Sequence, residues 1–209
     1  MTLQRLALAA ALTFVAFAAQ AQTLAKPKEF YFDADRNTAR LIVAVQGEGE
    51  PLAEQLVKQI ERGRNRVEST AQLAHVAMGQ GRIELGEKLY QEALGNTEGR
   101  GTLGRAVRWN YGWDLYRQDQ KPAALAQWTE LANGFGSPSW APPTLALVLW
   151  DLDRKPEALQ WYAASVRTEP NQWGDPANFP TLLPGWSDSE RKRLAEVFAA
   201  WQANPPVWP

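Results

Sequence analysis

The sequence predicts an all-α protein: an α-solenoid of about three stacked helix pairs, with a degenerate helix pair before them and a capping helix after them. Three observations carry this. A seven-residue segment recurs 34 residues downstream. Small and aromatic residues recur in step with it. Flanking segments keep the apolar spacing of helices.

The recurrence is direct. Asp119-Gln-Lys-Pro-Ala-Ala-Leu125 and Asp153-Arg-Lys-Pro-Glu-Ala-Leu159 share Asp, Lys, Pro, Ala and Leu at the same places, 34 residues apart. Leu115 corresponds to Leu149, and Trp128 to Tyr162. Pro122 and Pro156 fall at the first turn of a helix, where a missing N–H costs nothing. An earlier unit reads Leu73-Ala74, Ala77, Gly86, Tyr90; its step from Gly86 to Ala124 is 38, with the four extra residues assigned to the Gly-rich turn 95–101. Small residues at 74, 112 and 146, and at 86, 124 and 158, let two helices approach closely. The aromatics Tyr90, Trp128 and Tyr162 fill the space left beside them. A unit of this kind cannot bury its apolar face alone, so about three must stack.

These residues resemble the tetratricopeptide-repeat (TPR) family. Its pattern is matched by Tyr111-Gly112, Leu115, Ala124, Trp128 in one unit and by Leu145-Ala146, Leu149, Ala158, Tyr162, Pro170 in the next. The family's first Trp is replaced by Thr70, Arg108 and Pro142, and only the last unit keeps the terminal Pro. The resemblance covers residues 66–172 and implies a right-handed superhelix that binds proteins.

Ahead of the repeats, Leu52, Leu56, Gln59 and Ile60 give Pro51–Arg62 helical spacing, and Thr38–Gln46 is expected to complete a degenerate pair with it. Asn65-Arg-Val-Glu68 reads as a helix start, and Phe30-Tyr31-Phe32 as a staple on the first pair. After the repeats, Pro176, Pro180 and Pro184 make 173–186 an irregular connector. Ser187-Asp-Ser-Glu190 is a capping box opening a helix with Leu194, Val197, Phe198 and Trp201 on one face, suited to closing a solenoid. The tail Pro205–Pro209 is extended, either docked or a ligand.

The family's concave-wall positions carry over to Glu68, Ala71, His75, Met78 and Gly79; to Ala106, Trp109, Trp113, Tyr116 and Arg117; and to Trp140, Pro143, Leu147, Trp150 and Asp151. Trp109, Trp113 and Tyr116 share one helical face. The expected partner-binding set is Trp109, Trp113, Tyr116, Arg117, Trp140, Leu147, Trp150 and Asp151. It forms an aromatic groove for a protein or an extended peptide, with Arg117 available to a carboxylate. The competing occupant is the chain's own C-terminal segment. Trp128 and Trp161, on second helices, are expected in the core. No Lys lies on the wall, so a chaperone tail is not the expected ligand.

Chemistry has little foothold. The chain has no Cys, which removes thiolate metal sites, disulfides and a Cys nucleophile. Its one His, His75, lies on an apolar helical stretch and reads as structural. No catalytic residue, metal or cofactor is assigned, and no enzyme activity is expected. A net charge of −1 excludes a basic nucleic-acid face. Met1–Arg5, the apolar Leu6–Ala19 and Ala19-Gln20-Ala21 read as a signal peptide, residues 1–21, directing a bacterial chain to the periplasm. The apolar run is 14 residues, against the ~20 of a membrane span, and no other follows. The expected role is an exported protein-interaction adaptor for envelope assembly, secretion or outer-membrane transport. The alternative is a glycan- or peptidoglycan-binding envelope protein, because Trp faces also stack on sugars.

Overall fold

A computed structural model describes residues 24, 26–27, 37–97, 101–132 and 138–207. The signal stretch, the Phe30-Tyr31-Phe32 segment, part of the 95–101 turn and Trp208-Pro209 lie outside these residues. Among the described residues the protein is all-helical, with ten helices packed in adjacent pairs and no strand. They are α1 (Gly49–Glu61), α2 (Arg66–Gly79), α3 (Ile83–Gly95), α4 (Gly101–Arg117), α5 (Lys121–Ala132), α6 (Ala141–Asp151), α7 (Lys155–Thr168), α8 (Pro170–Trp173), α9 (Phe179–Leu182) and α10 (Asp188–Ala203). None is long and apolar enough to cross a membrane.

The closest pairings are α2 with α3, α4 with α5 and α6 with α7, matching the three sequence units. Their inner positions are the ones the repeat marks. Ala74, Ala124, Ala146 and Ala158 are fully buried, as are Tyr90, Trp128 and Tyr162. The turns repeat too. After α2, Gly81 takes φ 76° and Arg82 N–H donates to Ala77 O at 2.9 Å. After α4, Asp119 takes φ 61° and Gln120 N–H donates to Leu115 O at 2.9 Å; after α6, Asp153 takes φ 58° and Arg154 N–H donates to Leu149 O at 2.9 Å. Each is a left-handed residue closing a helix with a six-residue backbone loop. The sequence repeat is therefore a repeated helix–turn–helix device.

The N-terminal expectation needs correction. Thr38–Gln46 forms no helix. Its backbone, turned or bent at 38–40 and bent again at 44–45, is held by side chains from two later helices. Asn110 Oδ1 accepts from Ile42 N–H (3.3 Å) and its Nδ2 donates to Arg40 O (2.8 Å). Gln72 Oε1 accepts from Ala44 N–H (2.7 Å) and Val45 N–H (2.9 Å), and its Nε2 donates to Val45 O (2.7 Å). Leu41 and Val43 are accordingly 58% and 46% exposed around a buried Ile42, the alternation of an extended chain. Among the described residues only α1 precedes the repeats, anchored through Leu52 and Leu56. Asn65 precedes α2 in a left-handed conformation without a side-chain cap.

At the other end, the Pro-rich connector breaks into α8, a 3₁₀ turn (Pro176–Asn178) and α9. The Ser187–Glu190 capping box is complete: Glu190 N–H donates to Ser187 Oγ (3.2 Å) and Ser187 N–H to Glu190 Oε2 (2.6 Å). The helix it starts, α10, packs on α6 and α7 through Leu194 and Val197, both fully buried. Past α10, Pro206 O accepts from Arg167 Nη2 at 3.3 Å, while Val207 is 94% exposed.

Candidate functional site

Helix α4 carries large aromatics four residues apart, and their rings meet. Trp109 lies edge-on to Trp113 (5.8 Å between ring centres) and to Trp140 ahead of α6 (4.6 Å). Trp113 meets the core indole Trp128 from one side (5.0 Å) and Trp186 from the C-terminal connector on the other (4.9 Å). Edge-to-face geometry suits the ring quadrupoles and holds these indoles rigidly. Only Trp128 is wholly enclosed. The other four each keep 7–8% of their surface open, and all four line one cleft of about 790 Å³. That volume is in the range of small-ligand and side-chain pockets.

Three parts of the chain wall this cleft: the strap at Ala39–Leu41, the helices α2, α4 and α6, and the connector from Glu169 to Trp186. Leu41 brings an exposed apolar side chain to its rim. Beside Trp186 a second, more open recess is lined by Tyr116, Arg117, Asp151, Glu190 and Arg193.

The expected partner-binding residues divide into three groups. Trp109, Trp113 and Trp140 line the cleft. Tyr116, Arg117 and Asp151 are engaged by the chain itself. Arg117 donates to Glu190 Oε1 (2.9 Å) and Gly185 O (3.3 Å) while lying over the Trp113 ring (5.1 Å). Tyr116 OH donates to Asp151 Oδ2 (2.6 Å), whose other oxygen accepts from Arg193. The carboxylate expected to meet Arg117 is thus Glu190, from the capping helix. Burial alone would raise the Glu190 carboxyl, but the Arg117 and Ser187 hydrogen bonds outweigh it and hold the group below its ordinary range. The third group lies off the cleft. Leu147 is completely buried on α6, which is packed by α5, α7 and α10, and is a core residue. Trp150 is half-buried with Lys155 Nζ over its ring (5.3 Å). Ala71, Met78 and Ala106, assigned to the wall, are likewise core.

One constellation was not read from the sequence. His75 on α2 places Nδ1 2.9 Å and 3.0 Å from the two oxygens of Asp114 on α4. Tyr90 OH on α3 donates to the same carboxylate at 2.6 Å. Asp114 is 5% exposed, so its charge is compensated by these two partners rather than by water. The Asp114 hydrogen bond raises the His75 pKa above 6.5, against burial and the Arg117 charge, which lower it. Burial, with Asp114 beside it, drives the Tyr90 phenol well above its ordinary value. His75 and Asp114 both line the cleft. Among the described residues no three carboxylate or imidazole groups cluster as metal ligands. His75 and Asp114 are 39 residues apart in sequence, so only the packing of α2 on α4 joins them. The available signal was a carboxylate at 114, one position past a wall residue.

No family model matches this sequence, and no curated protein or solved structure is significantly similar to it.

Proposed function

We propose that this protein is an exported TPR-like solenoid that binds a protein partner by taking an extended peptide into the Trp-lined cleft. The cleft carries the reading: four indoles with small open faces around a space of about 790 Å³, with an exposed apolar rim at Leu41. Rigid indoles bury large area at low entropic cost and are enriched at binding hot spots. The helix pairs and their recurring turns support the solenoid, and the charged, apolar and small-x-small pattern of residues 1–21 supports export. The capping helix occupies Arg117 and Asp151, so the partner site in this reading is the Trp109/Trp113/Trp140/Trp186 end of the groove.

A glycan remains the second reading, since polar side chains stand beside the indoles. Most of them are already engaged. Asn110 holds the strap, Glu169 accepts from Gln172 (2.9 Å) and Trp173 (3.3 Å), and Arg117 holds Glu190. The apolar rim at Leu41 beside the indoles favours a peptide.

The test is site-specific photo-crosslinking in intact bacterial cells, using the full chain. A photoreactive residue replaces Leu41 or Thr181 on the cleft, or Val57 on α1 as the control. Discrete protein adducts from 41 and 181, absent from 57 and lost when Thr181→Trp blocks a cleft carrying the probe at 41, support the reading. Adducts insensitive to that blockade, or adducts to glycan, overturn it.

A further inference from the structure

The cleft contains polar groups that the fold places and does not use, the Trp140 Nε1 among them. His75 offers Nδ1 to Asp114, and among the described residues its opposite nitrogen, Nε2, has no hydrogen-bond partner. The side chain is 37% exposed, and the residue lines the cleft. A histidine held by a buried carboxylate has its ring orientation fixed, which leaves the far nitrogen directed and available. Arg40 also lines the cleft from the strap, exposed and, among the described residues, with its guanidinium unpaired. Its backbone is held in place by the Asn110 hydrogen bond.

We infer that the cleft recognises an acidic aromatic peptide, one whose Asp or Glu carboxylate is met by His75 Nε2–H and Arg40 while a neighbouring aromatic side chain packs on the indoles. This rests on the peptide reading above and adds the chemistry of the ligand.

The charges local to His75 and Arg40 favour an acid. With His75 neutral, the Nδ1 proton goes to Asp114, Nε2 is an acceptor, and the pair carries a charge of about −1 that repels a carboxylate. With His75 protonated, the pair is neutral, Nε2 becomes a donor, and Arg40 supplies the uncompensated positive charge. The charges acting on His75 are Asp114 and Arg117 of α4, with the neutral Tyr90 of α3 reaching it through Asp114. Arg117 is balanced by Glu190, while Glu169, also lining the cleft, accepts from the neutral Gln172 and Trp173 and keeps its negative charge, so an acid is favoured only on the His75 and Arg40 side. Binding of the acid and protonation of His75 therefore favour each other. Affinity falls as pH rises through the His75 pKa, which lies above 6.5.

Calorimetry with the full chain and two probes tests this: acetyl-Phe-Glu-Phe-amide, which sets a carboxylate beside an aromatic on either side, and its Gln counterpart. The expected result is about tenfold tighter binding of the Glu peptide at about pH 6, shrinking toward equality at about pH 9. His75→Gln and the exposed Arg40→Gln should each erase most of that preference, read within each variant as the ratio of the Glu to the Gln peptide's affinity. Equal affinities at about pH 6 overturn the acidic assignment and leave the peptide reading standing. A preference that survives both substitutions overturns the roles of His75 and Arg40. Failure of both peptides to bind overturns the peptide reading with it.

Discussion

Gly112 lies directly beneath the indole of Trp128: a Cβ built at 112 would stand 2.3 Å from Nε1 and 2.7 Å from Cε2. The contact locks α4 onto α5 where the indole, fully buried, donates from Nε1 to Trp109 O at 3.4 Å. The glycine therefore supports both the core and, through Trp109, one wall of the cleft.

Gly112→Ala should overpack this crossing, because a rigid indole cannot retreat as a flexible chain does. A loss of about 1–3 kcal/mol is expected in urea unfolding. Gly79→Ala is the matched control. Gly79 is helical, and nothing lies within 4 Å of where a Cβ would stand, so the change should cost nothing or stabilise slightly.

The recurring turns give a second expectation. Gly81 and Asp119 both hold left-handed backbone at equivalent places, with φ of 76° and 61°. Gly81→Ala and Asp119→Ala should each cost about 1 kcal/mol by denaturant unfolding, since a Cβ strains that conformation and alanine lacks the local polar compensation of Asp. Asp119→Gly should be nearly neutral. Three equal losses would show instead that the Asp119 side chain, which pairs with Lys121, dominates over its backbone.

What was legible in the sequence was local. Helix starts and the small/aromatic alternation are fixed by residues a few positions apart, so the matching segments at 119–125 and 153–159 declared the repeat. The N-terminal strap was not legible. Leu41-Ile42-Val43 suits helix or extended chain, and the choice is made by Asn110, which is 68 residues from Ile42. The site divides similarly. Trp109 and Trp113 share a helical face by spacing and meet in the cleft, while Trp140 came only from the wall positions that the family resemblance implied. Leu147 lies off the cleft, because α6 is packed by α5, α7 and α10 together, and no periodicity in α6 reports those neighbours. The pairing of Arg117 with Glu190 spans 73 residues, and neither partner signals the other.

That pairing predicts acid sensitivity. The Glu190 carboxyl is held below its ordinary pKa, so its contribution to stability is present above about pH 4.5 and is lost as pH falls through the folded value. Glu190→Gln should lower stability by about 2 kcal/mol at neutral pH, and the gap from the parent should narrow as pH is lowered from about 5 to 3. Unfolding midpoints across that range check it. A gap that stays constant would show that the loss does not come from the Glu190 charge.

His75 gives the most direct measurement, because the chain has only one histidine and hence one imidazole signal. Asp114 raises its pKa in the folded state, so the interaction stabilises the fold fully below the unfolded value of 6.5 and fades as pH rises through the folded one. NMR titration of the ring should show a midpoint above 6.5 in the parent. In Asp114→Asn the raising partner is gone, while burial and Arg117 still lower the pKa, so the midpoint should drop below 6.5. The same substitution weakens the buried Tyr90 hydrogen bond and should cost about 1–3 kcal/mol near pH 6. The cost should decrease toward about pH 9, where the parent has already lost its imidazolium. Tyr90→Phe separates the two contributions: it removes a donor to Asp114 without touching His75. A parent midpoint at or below 6.5 would mean that the Asp114 contact does not outweigh burial, and the pH dependence of both stability and ligand binding would have to be sought elsewhere.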